Sequence, residues 1–196
     1  MTITHDRFAS GLTYEQWLEG MTQNKERFLA NYEAAQISTK DVAFFKKLPQ
    51  PLNVLVLAED WCGDVIANLP ILAKLAQASG NLNVRVFKRD QNLDIMDQYL
   101  YQGQFRSIPA FVFFDTRMNE VGRWWERPQI ARDEMAEARR RFAAEHADLP
   151  DVSKPVPEMS ESTRQLYMTT FGKLRAENAA RWTQAVVDEW RKVVGG

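Results

Sequence analysis

Residues 52–72, LNVLVLAEDWCGDVIANLPIL, restrict the fold of this chain more than any other segment. The segment opens with an apolar run from Leu52 to Ala58. This run is too continuous for a strand with one face in water, so it predicts a strand buried on both faces. The apolar residues after position 62 recur at the spacing of one helix face, which predicts a helix. A buried strand followed by a helix is the first half of a parallel βαβ unit.

The only cysteine of the chain, Cys62, lies where this strand ends and the helix begins. Unpaired backbone N–H groups and the positive end of the helix dipole favour a thiolate there. The carboxylates of Glu59, Asp60 and Asp64 are close in sequence and act in the opposite direction, because negative charge raises the pKa of a thiol. Two interpretations remain open: Cys62 is a reactive thiol, or it is a small buried apolar residue.

Three further segments have the patterns of strands. Residues 83–88 alternate and follow the helix, so we expect them to pair in parallel with residues 52–58. Residues 110–115 form a second buried apolar run. Residues 120–125 follow it after a short polar connection, which predicts an antiparallel hairpin.

Helical patterns surround these strands. A capping box formed by Thr13 and Gln16 predicts a helix from about Tyr14 to Ala35. A short helix is expected after Ser38. Pro128 is expected in the first turn of another helix, whose inner face is formed by Ala131, Met135, Ala138 and Phe142. Asn92 is expected to cap a further helix that buries three residues, Leu93, Met96 and Leu100.

The last helix is predicted to run from Ser160 to about Val194, and its apolar side includes Trp182 and Trp190. Such a helix is marginal alone, so we expect it to pack on the rest of the protein. Trp124 and Trp125 are neighbours in a strand and point to opposite faces. One of them is expected in the core, and the other is expected to be covered by a helix.

These elements suggest a division into four parts. Residues 1–50 are predicted to form a helical extension, and residues 51–148 an α/β domain. Residues 149–159 contain three prolines and are expected to be a linker. Residues 160–196 are expected to form the C-terminal helix that packs on the domain.

Composition excludes several classes of function. With 45% hydrophobic and 26% charged residues the chain is typical of globular proteins, and 25 basic against 26 acidic residues give no field that attracts nucleic acid or anionic lipid. No apolar run approaches the roughly 20 residues of a membrane span. The N-terminal segment lacks the apolar core of a secretory signal, so a cytoplasmic location is expected. His5, His146 and one thiol do not supply a zinc ligand set, and no metal or resident cofactor is expected.

The order of the elements and four motifs resemble the thioredoxin family over roughly residues 50–145. The motifs are Trp61-Cys62-Gly63, Pro70 in the following helix, Arg106-Ser107-Ile108-Pro109 before the third strand, and Gly122 in the last strand. The resemblance implies a thioredoxin-like three-layer α/β/α sandwich, here with extra N-terminal and C-terminal helices. It also implies that the Ile108–Pro109 peptide is cis and faces Cys62, which a bond to proline permits.

The chain departs from the family motif Trp-Cys-Gly-Pro-Cys, because residues 61–65 read Trp-Cys-Gly-Asp-Val. Val65 occupies the place of the second cysteine, so no thiol within the chain can resolve a mixed disulfide. Val56 stands where thioredoxins have a buried acid that assists proton transfer. Both departures argue against an ordinary dithiol disulfide reductase.

The resulting hypothesis is a single-thiol redox protein in which Cys62 forms a mixed disulfide that an external thiol, such as glutathione or a partner cysteine, resolves. The resemblance implies binding roles for Trp61, Gly63, Ile108 and Pro109. Two charged residues complete the expected site: Asp64, as an acid or base or only as a complement to the helix dipole, and Arg106, as a cation that tunes the thiolate. The alternative hypothesis is a non-catalytic binding module of the same fold with a structural cysteine.

Overall fold

The computed structural model describes residues 3–195. Their contacts group the chain into two compact units. The first unit contains the chain up to Arg127 together with the segment from Val186 onward, and the second contains Pro128–Ala185. This grouping differs from the four-part division expected from the sequence, because the C-terminal helix contributes to both units.

The first unit contains a four-stranded sheet and most of the helices. Its elements in chain order are α1 (His5–Ala9), α2 (Tyr14–Glu19), α3 (Lys25–Ala34), α4 (Thr39–Lys46), β1 (Leu52–Ala58), α5 (Gly63–Ser79), β2 (Leu82–Lys88), α6 (Leu93–Met96), β3 (Ala110–Phe114) and β4 (Glu120–Trp125). The second unit contains α7 (Gln129–Glu145) and most of α8 (Glu161–Gly195).

The strand order is β2-β1-β3-β4. β1 pairs in parallel with β2 and antiparallel with β3, and β3 and β4 form an antiparallel hairpin. The four predicted strands and their pairing are therefore confirmed, with ends that differ by no more than one residue. β1 lies in the centre, and all of its residues from Val54 to Ala58 are completely buried, as the continuous apolar run predicted.

Helices cover both faces of the sheet. Val56, Phe111 and Trp124 are neighbours across three strands on one face, where the ring of Trp190 from α8 contacts both Phe111 and Trp124. On the opposite face, the guanidinium of Arg7 in α1 lies 5.3 Å from the ring centre of Phe87. The predicted α/β architecture with additional terminal helices is confirmed.

The predicted single helix over residues 14–35 is wrong. The capping box of Thr13 and Gln16 is present, but α2 ends at Glu19 and α3 begins only at Lys25. Asn24 precedes α3 in the left-handed conformation, with φ of 59°. The connection is held by Asp60, whose carboxylate accepts hydrogen bonds from the backbone N–H groups of Thr22 (2.8 Å) and Gln23 (3.3 Å). In a continuous helix these two N–H groups would instead donate to backbone carbonyl oxygens of the preceding turn.

The helix after Asn92 is shorter than predicted and buries partly different residues. α6 has four residues, and it buries Ile95 and Met96 while Leu93 is 39% exposed. Asn92 is the N-cap residue, but its side chain makes no capping hydrogen bond, because its Oδ1 accepts from the guanidinium of Arg7 and its amide donates to the carbonyl oxygen of Lys88, both at 2.8 Å. Of the predicted inner face, Met96 is confirmed, whereas Leu93 is exposed and Leu100 is half-buried beyond the end of the helix.

The second unit has a small core of its own. The predicted inner face of α7 is confirmed, since Ala131, Met135 and Phe142 are buried and pack with Phe171 and Trp182 of α8. The segment 149–159 is not an open linker. Val152 is buried in the core of the second unit, and Met159 is buried as well.

α8 is the single long helix that the C-terminal pattern predicted. Trp190 is completely buried in the first unit, and Trp124 on β4 donates a hydrogen bond to Glu189 at 2.6 Å. Trp124 is therefore the tryptophan in the core, and it is also the one that α8 covers. Trp125 is half-buried and donates to the carbonyl oxygen of Tyr99 at 2.9 Å, so the expected cover of the second tryptophan by a helix is not confirmed. No helix among residues 3–195 combines the length and apolar character needed to cross a membrane.

Candidate thiol site

Cys62 is the N-cap residue of α5 and makes no side-chain capping hydrogen bond. It is partly buried. Burial and then the charge of Asp64 raise the pKa of the Cys62 thiol above its ordinary value. The backbone N–H groups of Val65 and Asp64 and the charge of Arg127 act in the opposite direction but do not outweigh burial. The thiol is therefore mainly neutral near pH 7, although the helix start provides the donors that a thiolate requires.

The loop before β3 lies beside this thiol. The Ile108–Pro109 peptide bond is cis, and the carbonyl oxygen of Ile108 is 3.5 Å from the Sγ atom of Cys62. A neutral thiol can donate a weak hydrogen bond to this oxygen. Both Ile108 and Pro109 are buried, so their side chains contribute little exposed surface around the sulfur.

Asp64, in the first turn of α5, is buried and forms an ion pair with Arg127. Arg127 follows β4, and the pairing of Ala110 with Trp125 brings the end of β4 next to Pro109. The N–H of Glu126 donates to the carbonyl oxygen of Pro109 at 2.7 Å. Arg127 is thus the cation that the hairpin places near Cys62.

Arg127 was not among the site residues predicted from the sequence, although the predicted hairpin contained the signal for it. Antiparallel pairing places the end of the second strand opposite the start of the first. The residues just after position 125 therefore had to lie close to Pro109. Asn68 in α5 holds this segment in place, because its amide donates to the carbonyl oxygens of Glu126 (2.8 Å) and Asp64 (3.0 Å).

Arg106, the cation expected to tune the thiolate, lies elsewhere. Its guanidinium donates two hydrogen bonds to the carboxylate of Asp97, at 2.7 and 2.9 Å, and half of its side chain is exposed. The pKa of Arg106 is raised by this hydrogen-bonded ion pair. The cation whose charge lowers the pKa of Cys62 is Arg127, whereas Arg106, which was expected in that role, is paired with Asp97.

The other two acids near Cys62 are also engaged. Burial would raise the pKa of Asp60, but hydrogen bonds from Thr22 and Gln23 lower it below its usual value. Glu59 is buried, which raises its pKa, and it accepts the N–H of Asp90 at 2.8 Å. Of the three carboxylates expected to oppose a thiolate, Asp64 is the one whose charge acts on Cys62.

Trp61 and Gly63 form the exposed border of the site. Trp61 is 48% exposed, and the guanidinium of Arg89 lies 5.1 Å from its ring centre. Arg89 also donates to the carbonyl oxygen of Arg106 at 3.2 Å, which fixes it beside the loop before β3. A molecule that reaches Cys62 therefore meets an aromatic ring with a cation above it. Val65 is completely buried in the core.

Comparisons with known proteins agree with this architecture. A protein of unknown function from Pseudomonas aeruginosa, PA1234, has a crystal structure that aligns with a TM-score of 0.70 at 17% identity, covering 98% of both chains. An HIV epitope scaffold aligns with a TM-score of 0.64 at 15% identity, again covering 98% of both chains. At these identities the likeness concerns the fold alone. No curated protein matches the chain.

The sequence match is more specific than the structural one. The family model described as Thioredoxin matches residues 11–140, which is more than half of the chain. This range contains the whole sheet, the helix that begins at Cys62 and the Ile108–Pro109 loop. The chain belongs to the thioredoxin family.

Proposed function

We propose that this protein is a single-thiol redox protein whose Cys62 forms a mixed disulfide with a thiol or protein partner. The observation that carries the proposal is the position of the sulfur. Cys62 is only partly buried at the start of α5, where the backbone N–H groups of Asp64 and Val65 stabilise its thiolate form. Trp61 and Gly63 are exposed on the approach to it.

The reaction is a thiol–disulfide exchange with no net oxidation. Cys62 first loses its proton to solvent, and the thiolate attacks one sulfur of a disulfide R–S–S–R′. A bond forms between Cys62 and the sulfur of R, and R′ leaves as a thiolate that takes up a proton. Since residue 65 is valine, release requires an external thiolate, such as glutathione or a partner cysteine. This thiolate attacks the sulfur of R and forms a new disulfide with it, and Cys62 leaves as a thiolate that takes up a proton.

The raised pKa of Cys62 gives this exchange a characteristic pH dependence. Only the thiolate is nucleophilic, and burial keeps its fraction small near pH 7. The rate is therefore expected to rise steeply with pH up to a pKa above that of an ordinary cysteine. A thiolate with a high pKa is intrinsically more nucleophilic, which partly offsets its small population.

A second candidate function is supported by the same thiol. A structural cysteine is also expected to be neutral and to donate to a nearby carbonyl oxygen, as Cys62 does to that of Ile108. In that case the protein is a binding module, and the exposed ring of Trp61 with Arg89 forms its contact surface. The two functions differ in whether native Cys62 reacts.

The deciding experiment is brief exposure of the native protein to oxidised glutathione at several pH values, followed by intact-mass spectrometry. A Cys62→Ser variant is the control for specificity, and urea-unfolded protein gives the rate of an unprotected thiol. The redox proposal expects a glutathione adduct on the native chain that forms faster as pH rises. No adduct on the native chain, with ready reaction after unfolding, would contradict it and favour the binding module.

A second variant tests the role of Val65. Val65→Cys places two thiols at the spacing of the family motif, one helical turn apart. Under oxidising conditions this variant is expected to form an internal disulfide and to release a bound glutathione without added thiol. If Val65→Cys retains the mixed disulfide as the natural chain does, the absence of a resolving cysteine is not what limits turnover.

A further inference from the structure

The outer edge of β2 is used only in part by the chain itself. β2 is an edge strand, and within residues 3–195 its outer side pairs with Leu12 alone. The N–H of Leu12 donates to the carbonyl oxygen of Val86 at 2.9 Å, and the N–H of Val86 donates back at 2.8 Å. Thr13 then caps α2, so the chain turns away from the sheet.

The next two outward positions on β2 are Val84 and Leu82. Backbone groups of successive strand residues point to opposite sides, so Val84 and Leu82 share the outward direction of Val86. The carbonyl oxygen of Val84 accepts a hydrogen bond from the guanidinium of Arg85 at 3.1 Å, which leaves one of its two lone pairs. The edge therefore continues as a template for one more strand.

A cavity of about 520 Å³ lies at this part of the edge. Its walls come from α2, α3, α5 and β2, and they are largely apolar. They include Leu18, Leu29, Ala76, Leu82 and Val84. Leu29 in this wall is 45% exposed. The volume is in the range of ligand sites and accommodates a large apolar side chain.

The cavity lining contains two carboxylates and one cation, and the ammonium of nearby Lys74 donates to the carbonyl oxygens of Tyr32 and Glu33, both at 2.9 Å. The two carboxylates are those of Glu15 and Glu33, which are exposed. Burial raises the pKa of Tyr32 in the same wall, and the charges of Glu33 and Glu15 raise it further, so both carboxylates are close to this ring. Arg85 is the lining cation, and its guanidinium is directed to the Val84 carbonyl oxygen. An occupant with a positive charge beside an apolar group complements this arrangement.

We infer that the outer edge of β2 from Leu82 to Val84 docks an extended peptide segment of a partner protein. The segment adds as an antiparallel strand that continues the pairing begun by Leu12, places one large apolar side chain in the cavity and directs a lysine or arginine toward Glu15 and Glu33. Backbone pairing supplies affinity in this mode, and the cavity supplies specificity. None of the residues of the thiol site lines this cavity, so the inference is independent of the proposed redox function.

The first test is selection of random heptapeptides displayed on phage against the full chain. Ala76→Trp fills the cavity, and Ala78→Trp is its matched control, because residue 78 is exposed on the same helix and does not line the cavity. We expect peptides that combine a basic residue with a large apolar residue, enriched on the natural chain and on Ala78→Trp but not on Ala76→Trp. No enrichment on the natural chain over Ala76→Trp would overturn the inference.

The second test leaves the protein unchanged. The best selected peptide is synthesised with one N-methylated amide at a time. Methylation at alternate positions is expected to weaken binding roughly tenfold, because it removes a strand hydrogen bond, while methylation between them has little effect. Amide hydrogen exchange at Val84 is expected to slow when the peptide is bound. Uniform tolerance of methylation would mean that side chains alone bind, as for a small amphiphilic cation, and would overturn strand addition.

The charge requirement is tested with the same peptide, and self-association is tested with the protein alone. Glu33→Gln is expected to weaken binding several-fold, whereas Glu19→Gln, an exposed residue of α2 outside the cavity, is expected to leave it unchanged. Sedimentation of the natural chain tests whether a second copy of the protein occupies this edge. A dimer that Ala76→Trp dissociates would assign this edge to a second copy and overturn the inference of a partner peptide.

Discussion

The starts of α5 and α8 solve the same physical problem in opposite ways. At the start of α8, Asp151 accepts the backbone N–H of Ser160 and the hydroxyl of Thr163, and the Oγ atom of Ser160 accepts the N–H of Thr163. At the start of α5, Cys62 makes no capping hydrogen bond. The first arrangement satisfies two of the otherwise unpaired backbone N–H donors of the helix, those of Ser160 and Thr163, with side-chain oxygens. The second leaves backbone N–H donors of α5 beside the sulfur of Cys62.

This difference separates a structural helix start from a candidate functional one. The carboxylate near α8 is stabilised as an anion, and hydrogen bonds from Thr163 and Ser160 lower the pKa of Asp151 to about 2. The thiol at α5 is held neutral by burial, and its pKa is raised. Asp64, the carboxylate in the first turn of α5, is paired with Arg127. Protein groups therefore hold Asp151 as an anion at the start of α8, whereas the thiol of Cys62 at the start of α5 is neutral and can still lose its proton.

The largest effect is expected from Asp64→Asn. It removes the anion paired with Arg127 and should reduce the free energy of unfolding by about 3 kcal/mol, the lower end for a broken buried pair, since Arg127 retains 25% exposure. It should also lower the pKa of Cys62, because the charge of Asp64 raises it, and so speed alkylation at pH 7 several-fold. Urea unfolding and iodoacetamide rates measure the two effects. Unchanged alkylation would show that burial alone sets this pKa.

The matching change at the other helix start is Thr163→Val. Thr163 is 1% exposed, and its hydroxyl donates to Asp151 at 2.6 Å. Its loss should reduce the free energy of unfolding by about 1–3 kcal/mol, with no effect on alkylation of Cys62. Thr163→Ser keeps the hydroxyl and serves as the control. A valine variant as stable as the natural chain would mean that the Asp151 network does not hold this helix start.

The pH dependence of stability provides a smaller effect with a definite sign. The folded pKa of Asp151, about 2, is depressed below the unfolded value of 3.8. Its contribution is therefore fully present above about pH 4 and is lost as pH falls through about 2. The difference in unfolding free energy between the natural chain and Asp151→Asn should shrink over this interval. A difference in unfolding free energy that stays constant from pH 5 to pH 2 would contradict the role of Asp151 as a buried carboxylate that accepts hydrogen bonds.

The smallest effect is expected from Arg106→Gln, which should leave the alkylation rate of Cys62 unchanged because Arg106 is paired with Asp97. Arg127→Gln is the contrasting variant. It removes the cation that lowers the pKa of Cys62 and leaves Asp64 unpaired, so alkylation near pH 7 should slow. Slower alkylation in Arg106→Gln, measured at equal ionic strength, would restore Arg106 as the tuning residue.

Local sequence patterns were sufficient for the elements that carry strong periodicity. The apolar run of β1, the capping box of Thr13 and Gln16, the inner face of α7 and the long α8 all depend on contacts within a few residues or on burial that any compact fold imposes. Prediction was less successful where a distant group competes for backbone donors. Asp60 takes the N–H groups of Thr22 and Gln23 and divides a helix that was predicted to be continuous.

The candidate site shows the same division. Cys62 at a helix start, and a valine in the place of a second cysteine, are properties of the sequence alone, and they already exclude an internal disulfide. The charge state of the thiol was decided by the tertiary structure, because burial depends on the packing around the sulfur and the nearby cation depends on the register of β3 and β4. Arg106 and Arg127 are 44 and 65 residues from Cys62 in the chain, and no periodicity distinguishes them. Coulombic interactions and desolvation act through space, so only the folded chain determines which of the two acts on Cys62.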